Sequence, residues 1–238
     1  LKSQLENSIE NENDMKEISS IEESFKSNSW YHGVENNVTL RLMANTRLLI
    51  NEPLNWEQMF VHAGKPEKED MNDFSGGWTL ITMPQLNSYK EVHESDVKVV
   101  SSLVEKFIDA TGMVDAFIVL PKFFCYDKSY YSLRRKLVRR GILGSVVELR
   151  KESFKNPFDG VIVHLCKSSL EDNTILVDGQ ECNDRDELLD VCLEEEKSDI
   201  CFTVEDYLLA QCDYCLLPSL YISGNKGLPD NEDLNICY

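Results

Sequence analysis

The chain has 238 residues, enough to bury a sizeable hydrophobic core, and this length suits one α/β domain with appendages. Its 42% hydrophobic and 28% charged residues lie close to globular averages, which excludes a fibrous or wholly disordered chain. A formal net charge of −18 repels a polyanion, so the composition argues against tight, unassisted binding of duplex DNA.

Targeting signals and metal motifs are not evident in the sequence. No apolar run reaches the roughly 18 residues that cross a bilayer, and the acidic N-terminus is unlike a secretory signal. The 8 cysteines lack regular spacing, which favours reduced thiols, and the 4 scattered histidines are interpreted as core or strand-end residues. Cys212 and Cys215 form a C-x-x-C pair, but no partner motif lies nearby to complete the roughly four ligands of structural zinc. We therefore predict a cytoplasmic protein with no membrane partner and no metal.

The N-terminal part begins with a polar segment, which is followed by a pattern of apolar residues typical of strands and helices. Residues 1–29 are polar with sparse apolar positions, which predicts a short helix or a loosely held tail. From residue 30 the pattern predicts a strand, a turn capped by Asn36 or Asn37, and a helix. A second short strand is predicted at 59–64.

The central part alternates strands and helices. A strand at 78–82 ends before a proline, and a helix at 94–111 leads to an apolar strand at 114–121, of the kind that is buried on both faces. A further helix at 129–140 ends at Gly141. This alternation predicts a doubly wound, mostly parallel sheet.

The last part contains two adjacent strand-like runs, ILGSVVEL and FDGVIVHLCK, which predict an antiparallel hairpin at the sheet edge, and NTILVDG indicates a short strand. The acidic stretch that follows is typical of a solvated helix face. We divide the chain into a polar N-terminal helix or tail at 1–29, an α/β domain at 30–180, a C-terminal helical extension at 181–222 and a flexible tail at 223–238.

Three stretches carry a shared pattern. The first is Y-H-G-V-E-N-N at 31–37, with the helix that follows it. The second comprises L-R-x-x-L at 133–137, V-V-E-L at 146–149 and F-D-G-V-I-V at 158–163. The third is F-T-V-E-D at 202–206 with D-Y-x-L-x-P-S-x-Y at 213–221. In this order they resemble the adenine-N6 DNA methyltransferases that are modification subunits of type I restriction-modification systems.

The resemblance implies a Rossmann-like S-adenosylmethionine-dependent methyltransferase fold, α/β, with a mostly parallel sheet and an antiparallel edge hairpin. It implies other restriction-modification subunits, or further domains of the same protein, as partners, with any DNA contact indirect. The family's first strand and glycine loop should precede residue 31, but residues 1–30 contain no such loop. In the family's sheet that strand lies between those at 30–35 and 78–82, so we expect the first thirty residues, or a rearranged pairing of these two strands, to close the gap.

The family's catalytic loop follows the strand at 78–82 and here reads Met83, Pro84, Gln85, Leu86. The resemblance implies that an asparagine and a proline carbonyl accept hydrogen bonds from the amine of a flipped adenine, on which an aromatic ring stacks. Met83 offers no comparable acceptor and Leu86 cannot stack as a ring does. The catalytic tetrapeptide is therefore degraded.

The cofactor site is similarly incomplete. Glu35 matches the acid that accepts the ribose hydroxyls of the family's cofactor, but its position equally suits a strand-end helix cap. Gly64 and Lys65 would place a cation where the family has an acid. We expect no bound cofactor, or S-adenosylmethionine if the protein is active.

A dense basic group lies on the helix predicted at 129–140. It comprises Arg134, Arg135, Lys136, Arg139 and Arg140. These side chains suit phosphates or an acidic partner, but on a helix with Leu133, Leu137 and Val138 inward they equally suit ordinary outward charge.

Three functions therefore stay open. The first is a catalytically inactive methyltransferase-like protein with a structural or regulatory role. The second is a fragment of an active DNA adenine methyltransferase whose cofactor loop lies outside this chain. The third is a nucleic-acid-binding module that uses the basic helix, against which the net charge counts.

Overall fold

The computed structural model describes residues 31–35, 37–51, 59–62, 78–150, 158–167, 173–180 and 199–222. They form two compact units, which divide after position 68. The predictions for residues 1–29, for Gly64 and Lys65, for the acidic stretch at 181–198 and for the tail at 223–238 lie outside the described residues.

The smaller unit contains the predicted strand, turn and helix. Strand β1 (Tyr31–Val34) leads to helix α1 (Val38–Asn51), and strand β2 (Met59–His62) pairs in parallel with β1. Asn37 is the cap, because its Oδ1 accepts hydrogen bonds from the backbone N–H groups of Thr39 and Leu40 at 2.9 and 3.2 Å.

The larger unit is built on six strands. Its elements in chain order are β3 (Trp78–Thr82), α2 (Glu94–Asp109), β4 (Met113–Pro121), the 3-10 turns Lys122–Cys125 and Lys128–Tyr130, α3 (Tyr131–Arg139), β5 (Leu143–Glu148), β6 (Gly160–Cys166), β7 (Asn173–Asp178), β8 (Cys201–Glu205), α4 (Asp206–Gln211) and α5 (Pro218–Ile222). The sheet order is β3-β4-β6-β5-β7-β8. Among the described helices, none is long and apolar enough to cross a membrane.

The α/β sheet is mixed: four of its six described strands run in one direction, and three of its five pairings are antiparallel. Strands β3 and β4 pair in parallel around α2, and β5 pairs in parallel with β7. Strand β6 runs antiparallel between β4 and β5, and β8 runs antiparallel to β7. Of the six strands described in this sheet, β6 and β8 therefore oppose the common direction.

The predicted hairpin exists, but its predicted position at the sheet edge is wrong. Strand β6 pairs with β5 on one side and with β4, from Asp115 to Pro121, on the other. Two strands that are adjacent in sequence are expected to pair with each other. The sequence does not show which strand pairs with the other edge of β6. The edge beyond β5 is extended by β7 and β8.

The domain boundaries predicted at 30 and 180 stay predictions. The division of units falls after position 68, and β8, placed in the helical extension, pairs with β7 as a strand of the main sheet. Cys201–Glu205 contains Phe202, Thr203 and Val204, residues that favour strands, so the sheet gains an edge strand there. As for the expected closure of the gap, β1 and β3 belong to different sheets, and the first thirty residues lie outside the described part.

The main core lies on one face of the larger sheet, and a smaller cluster of Val147, Val177 and Ile200 lies on the other. Helix α2 buries Val100, Leu103, Val104 and Phe107 at helical spacing. Strand β4 buries alternate residues, among them Ala116, Ile118 and Leu120, so the expectation that it is buried on both faces is wrong. Each large apolar side chain buried here contributes about 1.5–3 kcal/mol.

Arg134 is part of this core, which corrects its assignment to an exposed basic surface. Its side chain is fully buried (0% exposed) and shares the inner face of α3 with Leu133, Leu137 and Val138. Leu137 and Val138 follow Arg134 by three and four residues, the spacing that places side chains on one helix face. The sequence predicts an outward arginine because a charged side chain usually faces water.

The Arg134 guanidinium donates four hydrogen bonds to backbone carbonyls. Nε reaches Tyr214 at 2.8 Å, Nη1 reaches Phe124 at 2.9 Å and Asp127 at 2.8 Å, and Nη2 reaches Tyr126 at 3.1 Å. Three of the acceptors belong to the turns after β4 and the fourth to the segment after α4. The side chain therefore ties two distant parts of the chain to α3.

We predict that Arg134→Met lowers the free energy of unfolding by at least about 3 kcal/mol, because it leaves several buried carbonyls without a donor. Arg134→Lys should lower the free energy of unfolding by less than Arg134→Met does, since an ammonium has three donors in a different geometry. Urea denaturation measures both effects.

The matched control is Arg135→Met on the exposed face of the same helix, expected to change stability by less than about 0.5 kcal/mol. Equal losses for Arg134→Met and Arg135→Met would refute the assigned role.

Candidate functional site at the carboxyl ends of the strands

The loop after β3 continues the alternation of the strand. Met83 (44% exposed) and Gln85 are turned to solvent, whereas Pro84 is buried. Leu86 is partly buried and packs against the main core. At the position where the family has a stacking ring, the side chain therefore contributes to the core.

The carbonyl of Pro84 already has a donor. The hydroxyl of Tyr89 donates a hydrogen bond to it, and the Tyr89 ring packs against Phe158 with the ring centroids 4.7 Å apart. Burial, reinforced by the negative charge of Asp96, raises the pKa of Tyr89 to about 12. The phenol therefore keeps its proton, and remains a donor, throughout the physiological pH range.

Asp96 fastens the same loop to the start of α2. Its Oδ1 accepts hydrogen bonds from the Asn87 backbone N–H at 2.9 Å and from Asn87 Nδ2 at 2.7 Å. Its Oδ2 accepts from the Ser88 backbone N–H at 3.1 Å. The carboxylate is buried and lies in the first turn of a helix, where the helix dipole favours a negative charge. These hydrogen bonds to Asp96 thus hold the loop in one conformation.

A second buried carboxylate joins the ends of three strands. Glu148, at the end of β5, is fully buried and accepts hydrogen bonds from Lys122 Nζ and Gln180 Nε2. It also accepts from the Ser219 backbone N–H at 3.3 Å. Lys122 follows β4 and Gln180 lies just beyond β7, so one acid connects these strand ends with the C-terminal segment.

The Lys122 amine beside Glu148 keeps its positive charge. Burial lowers the pKa of the Lys122 amine, but the hydrogen bond and negative charge of Glu148 outweigh it, and the net pKa is raised above the usual lysine value. The Lys122 amine is therefore protonated at neutral pH.

In the smaller unit, Glu35 directly follows β1. Its Oε1 accepts a hydrogen bond from the Asn37 backbone N–H at 2.7 Å, next to the cap of α1. This is the strand-end arrangement that the sequence offered as the alternative to a cofactor contact. Cofactor binding by Glu35 stays a prediction.

The predicted basic group is smaller and more neutralised than the sequence indicates. Arg134 is buried, and Lys136 Nζ lies 2.9 Å from the Glu105 carboxylate. Arg139 donates to the Tyr214 hydroxyl at 3.3 Å. Arg135, Arg139 and Arg140 remain exposed.

A cavity of about 880 Å³ lies beside the end of α3. Its lining includes Arg139 and Arg140 but also Glu205, Asp206 and Tyr207. Both signs of charge meet there, so the surface is not the uniformly basic one that phosphate binding favours.

The C-x-x-C pair lies in a tight turn. Cys212 and Cys215 are buried, and Asp213 and Tyr214 between them have φ values of 49 and 54 degrees. Burial raises the pKa of the Cys212 thiol, which disfavours the thiolate that a metal requires. The turn presents the Tyr214 carbonyl to Arg134, so its role in the described structure is to shape the chain.

One cluster was missed by sequence reasoning, which predicted no metal. Asp115, His164 and Cys166 approach one another on β4 and β6, with one potential ligand atom from each lying within 4.8 Å of the others. Asp115 and His164 are 49 positions apart, and only the register of the two strands places them together. No spacing motif could have revealed them.

No protein-family model and no curated protein matches the sequence. Solved structures do match. The methyltransferase subunit of a type I restriction-modification system from Streptococcus thermophilus matches with a TM-score of 0.63 and 15% identity, over 79% of this chain and 47% of that one. A chain of the type I system, solved for its complex assembly and conformational transition, gives a TM-score of 0.57 and 11% identity, over 86% of this chain and 50% of that one.

The type IIG restriction endonuclease BpuSI gives a TM-score of 0.56 and 10% identity, over 78% of this chain and 26% of that one. This chain has the fold of the type I methyltransferase subunits. It spans about half the length of the first two of these structures. The Rossmann-like α/β fold expected from the resemblance is confirmed.

We predict that Lys122→Met lowers the free energy of unfolding by about 3 kcal/mol, because Glu148 is left as a buried charge without its counterion. The raised lysine pKa means that this contribution is complete below the ordinary lysine range and is lost as pH rises through the raised value. Urea denaturation at neutral and strongly alkaline pH checks both statements.

Lys98→Met is the control, since Lys98 forms an exposed pair with Glu94 and should contribute no more than about 0.5 kcal/mol. In the double variant Lys122→Met/Glu148→Gln much of the loss should be recovered. A loss that is unchanged by Glu148→Gln would contradict the pairing.

Proposed function

We propose that this chain is a catalytically inactive adenine-N6 DNA methyltransferase-like protein or domain of a restriction-modification system, with a structural or regulatory role. The observation that carries the proposal is the hydrogen bond from the Tyr89 hydroxyl to the Pro84 carbonyl.

Methyl transfer to an exocyclic amine requires acceptors that orient the amine toward the methyl donor. In the loop after β3, Met83 has no oxygen to offer, and the Pro84 carbonyl accepts from Tyr89 instead. Leu86 packs against the core, so a flipped base would find no ring at that position. The Pro84 carbonyl and the Leu86 side chain are thus engaged within the protein, and the exposed Met83 side chain supplies no acceptor.

Two observations, one on the sequence and one on the described residues, support the absence of an S-adenosylmethionine site within this chain. Residues 1–30 of this chain contain no glycine, so they cannot form the close backbone approach that the family's loop provides. Glu35 accepts a hydrogen bond from the adjacent Asn37 backbone. We therefore propose that the chain works without a cofactor.

The partners we propose are other restriction-modification subunits or further domains of the same protein. The first two similar structures come from type I restriction-modification systems. A net charge of −18 favours contact with such partners over direct contact with DNA, and we propose a cytoplasmic location on the same grounds of composition.

An alternative is a fragment of an active S-adenosylmethionine-dependent DNA adenine methyltransferase. The chain aligns with only 47% of the Streptococcus thermophilus subunit, so on this alternative the cofactor loop belongs to a segment outside this chain. Met83 would still lack the amine acceptor.

Calorimetry with S-adenosylmethionine tests the proposal. We expect no binding stronger than a dissociation constant of about 1 mM, and no methyl transfer to adenine-containing DNA. Clear micromolar binding would overturn the inactive assignment and favour the fragment. Salt-sensitive DNA binding without cofactor binding, lost in Arg135→Gln/Arg140→Gln, would favour the nucleic-acid-binding module.

The Tyr89–Pro84 bond has a separate test. Tyr89→Phe should lower the free energy of unfolding by about 0.5–1.5 kcal/mol, because it removes one hydrogen bond and leaves the ring in place. Tyr207→Phe, on an exposed tyrosine, is the matched control and should have almost no effect. Equal stability of Tyr89→Phe and the unmodified chain would remove the main support for the proposal.

A further inference from the structure

The face of the larger sheet opposite the main core carries three side chains of metal-binding type. In the antiparallel pairing of β4 and β6, Asp115 lies opposite Cys166 and Phe117 lies opposite His164. The intervening pair, Ala116 and Leu165, points into the core. Because side chains alternate along a strand, the first four residues share the other face.

The three polar groups are close enough to share an ion. His164 Nε2 lies 2.8 Å from Asp115 Oδ1, and one ligand atom each from Asp115, His164 and Cys166 lies within 4.8 Å of the others. Zinc bonds of about 2.0–2.3 Å place neighbouring ligand atoms of a tetrahedron roughly 3.3–3.7 Å apart. Small rotamer changes would bring the three atoms to these separations.

We propose that Asp115, His164 and Cys166 form a zinc site. The combination of carboxylate oxygen, imidazole nitrogen and thiolate sulfur suits zinc, whereas calcium and magnesium prefer oxygen ligands throughout. Three protein ligands leave one tetrahedral position for an exchangeable water.

The imidazole is positioned independently of any ion. The Phe117 ring stacks on it, with centroids 4.4 Å apart and ring planes 4° from parallel. On the neighbouring strand, a Cβ at Gly144 would lie 2.9 Å from His164 Nδ1, so a glycine is required for the ring to occupy this place. Gly144 lies where the pairing of β5 with β6 is irregular, between Leu143 and Ser145.

Access and charge both suit a cation. The side chains of His164 and Asp115 are 23% and 29% exposed, so an ion can reach them while part of the surrounding water is excluded. The net charge of −18 raises the local concentration of cations near the protein. The sheet backbone fixes the strands that carry the ligands, so little ordering is required for binding.

The experiment is a titration of the full chain with zinc, after treatment with a chelator, by calorimetry and by thermal unfolding. We expect one zinc per chain with micromolar or tighter affinity, and a zinc-dependent rise in the melting temperature. With cobalt(II) in place of zinc, we expect the near-ultraviolet charge-transfer absorption of a thiolate ligand.

Asp115→Asn, His164→Asn and Cys166→Ser should each weaken zinc binding by about 100-fold or more, and Cys166→Ser should abolish the cobalt charge-transfer absorption. Gly144→Ala keeps all three ligands but displaces the ring, and about a tenfold loss is expected. Cys201→Ser, a partly buried cysteine on β8, is the control and should bind as the unmodified chain does. Circular dichroism of each metal-free variant shows whether it has folded.

Absence of micromolar binding to the unmodified chain would overturn the proposal. So would zinc affinity and cobalt absorption that persist in folded Cys166→Ser and His164→Asn, because zinc would then be held by other cysteines or histidines. The result is independent of the proposed function, since neither methyl transfer nor cofactor binding enters the measurement.

Discussion

The fold depends on a guanidinium that has been removed from water. Burying the charge of Arg134 is costly, and the cost is offset because four carbonyl oxygens, supplied by two segments up to 80 positions away, surround it. The buried guanidinium is tolerated because these carbonyls surround it, and the Asp127 carbonyl also accepts a hydrogen bond from the Tyr130 backbone N–H at 3.1 Å. The segment after α4 has little regular structure of its own and takes its position from this contact.

Buried charged groups with hydrogen-bond partners from the protein itself also lie at the carboxyl ends of the strands. In open α/β sheets this edge is where ligands usually bind. Here the buried carboxylate of Asp96 accepts its hydrogen bonds from the loop after β3, and that of Glu148 accepts from Lys122, Gln180 and Ser219. Polar groups that could face a substrate are satisfied by the protein instead. The buried carboxylates at this edge therefore stabilise the fold.

The spacing of apolar residues predicted the helices and strands but not which strands pair with one another. The strand at 114–121 and the helix at 94–111 lie within two residues of the observed bounds, because both follow from local apolar spacing. The insertion of β6 between β4 and β5 depends on non-local pairing, which no local pattern encodes. Arg134 is an intermediate case. Its spacing from Leu137 is compatible with a core position, but charged side chains usually face water, so the sequence predicted an exposed arginine. The cluster of Asp115 and His164 follows from strand register alone.

The residues that carry the family resemblance are those that hold the fold. Arg134 contacts Tyr214, and Glu148 contacts Ser219, so three of the shared sequence motifs meet through two buried polar contacts. None of these residues lies in the loop after β3. These contacts stabilise the packed state whether or not the protein transfers a methyl group. Likeness in these motifs therefore follows the fold, which this chain shares with the Streptococcus thermophilus subunit at 15% identity.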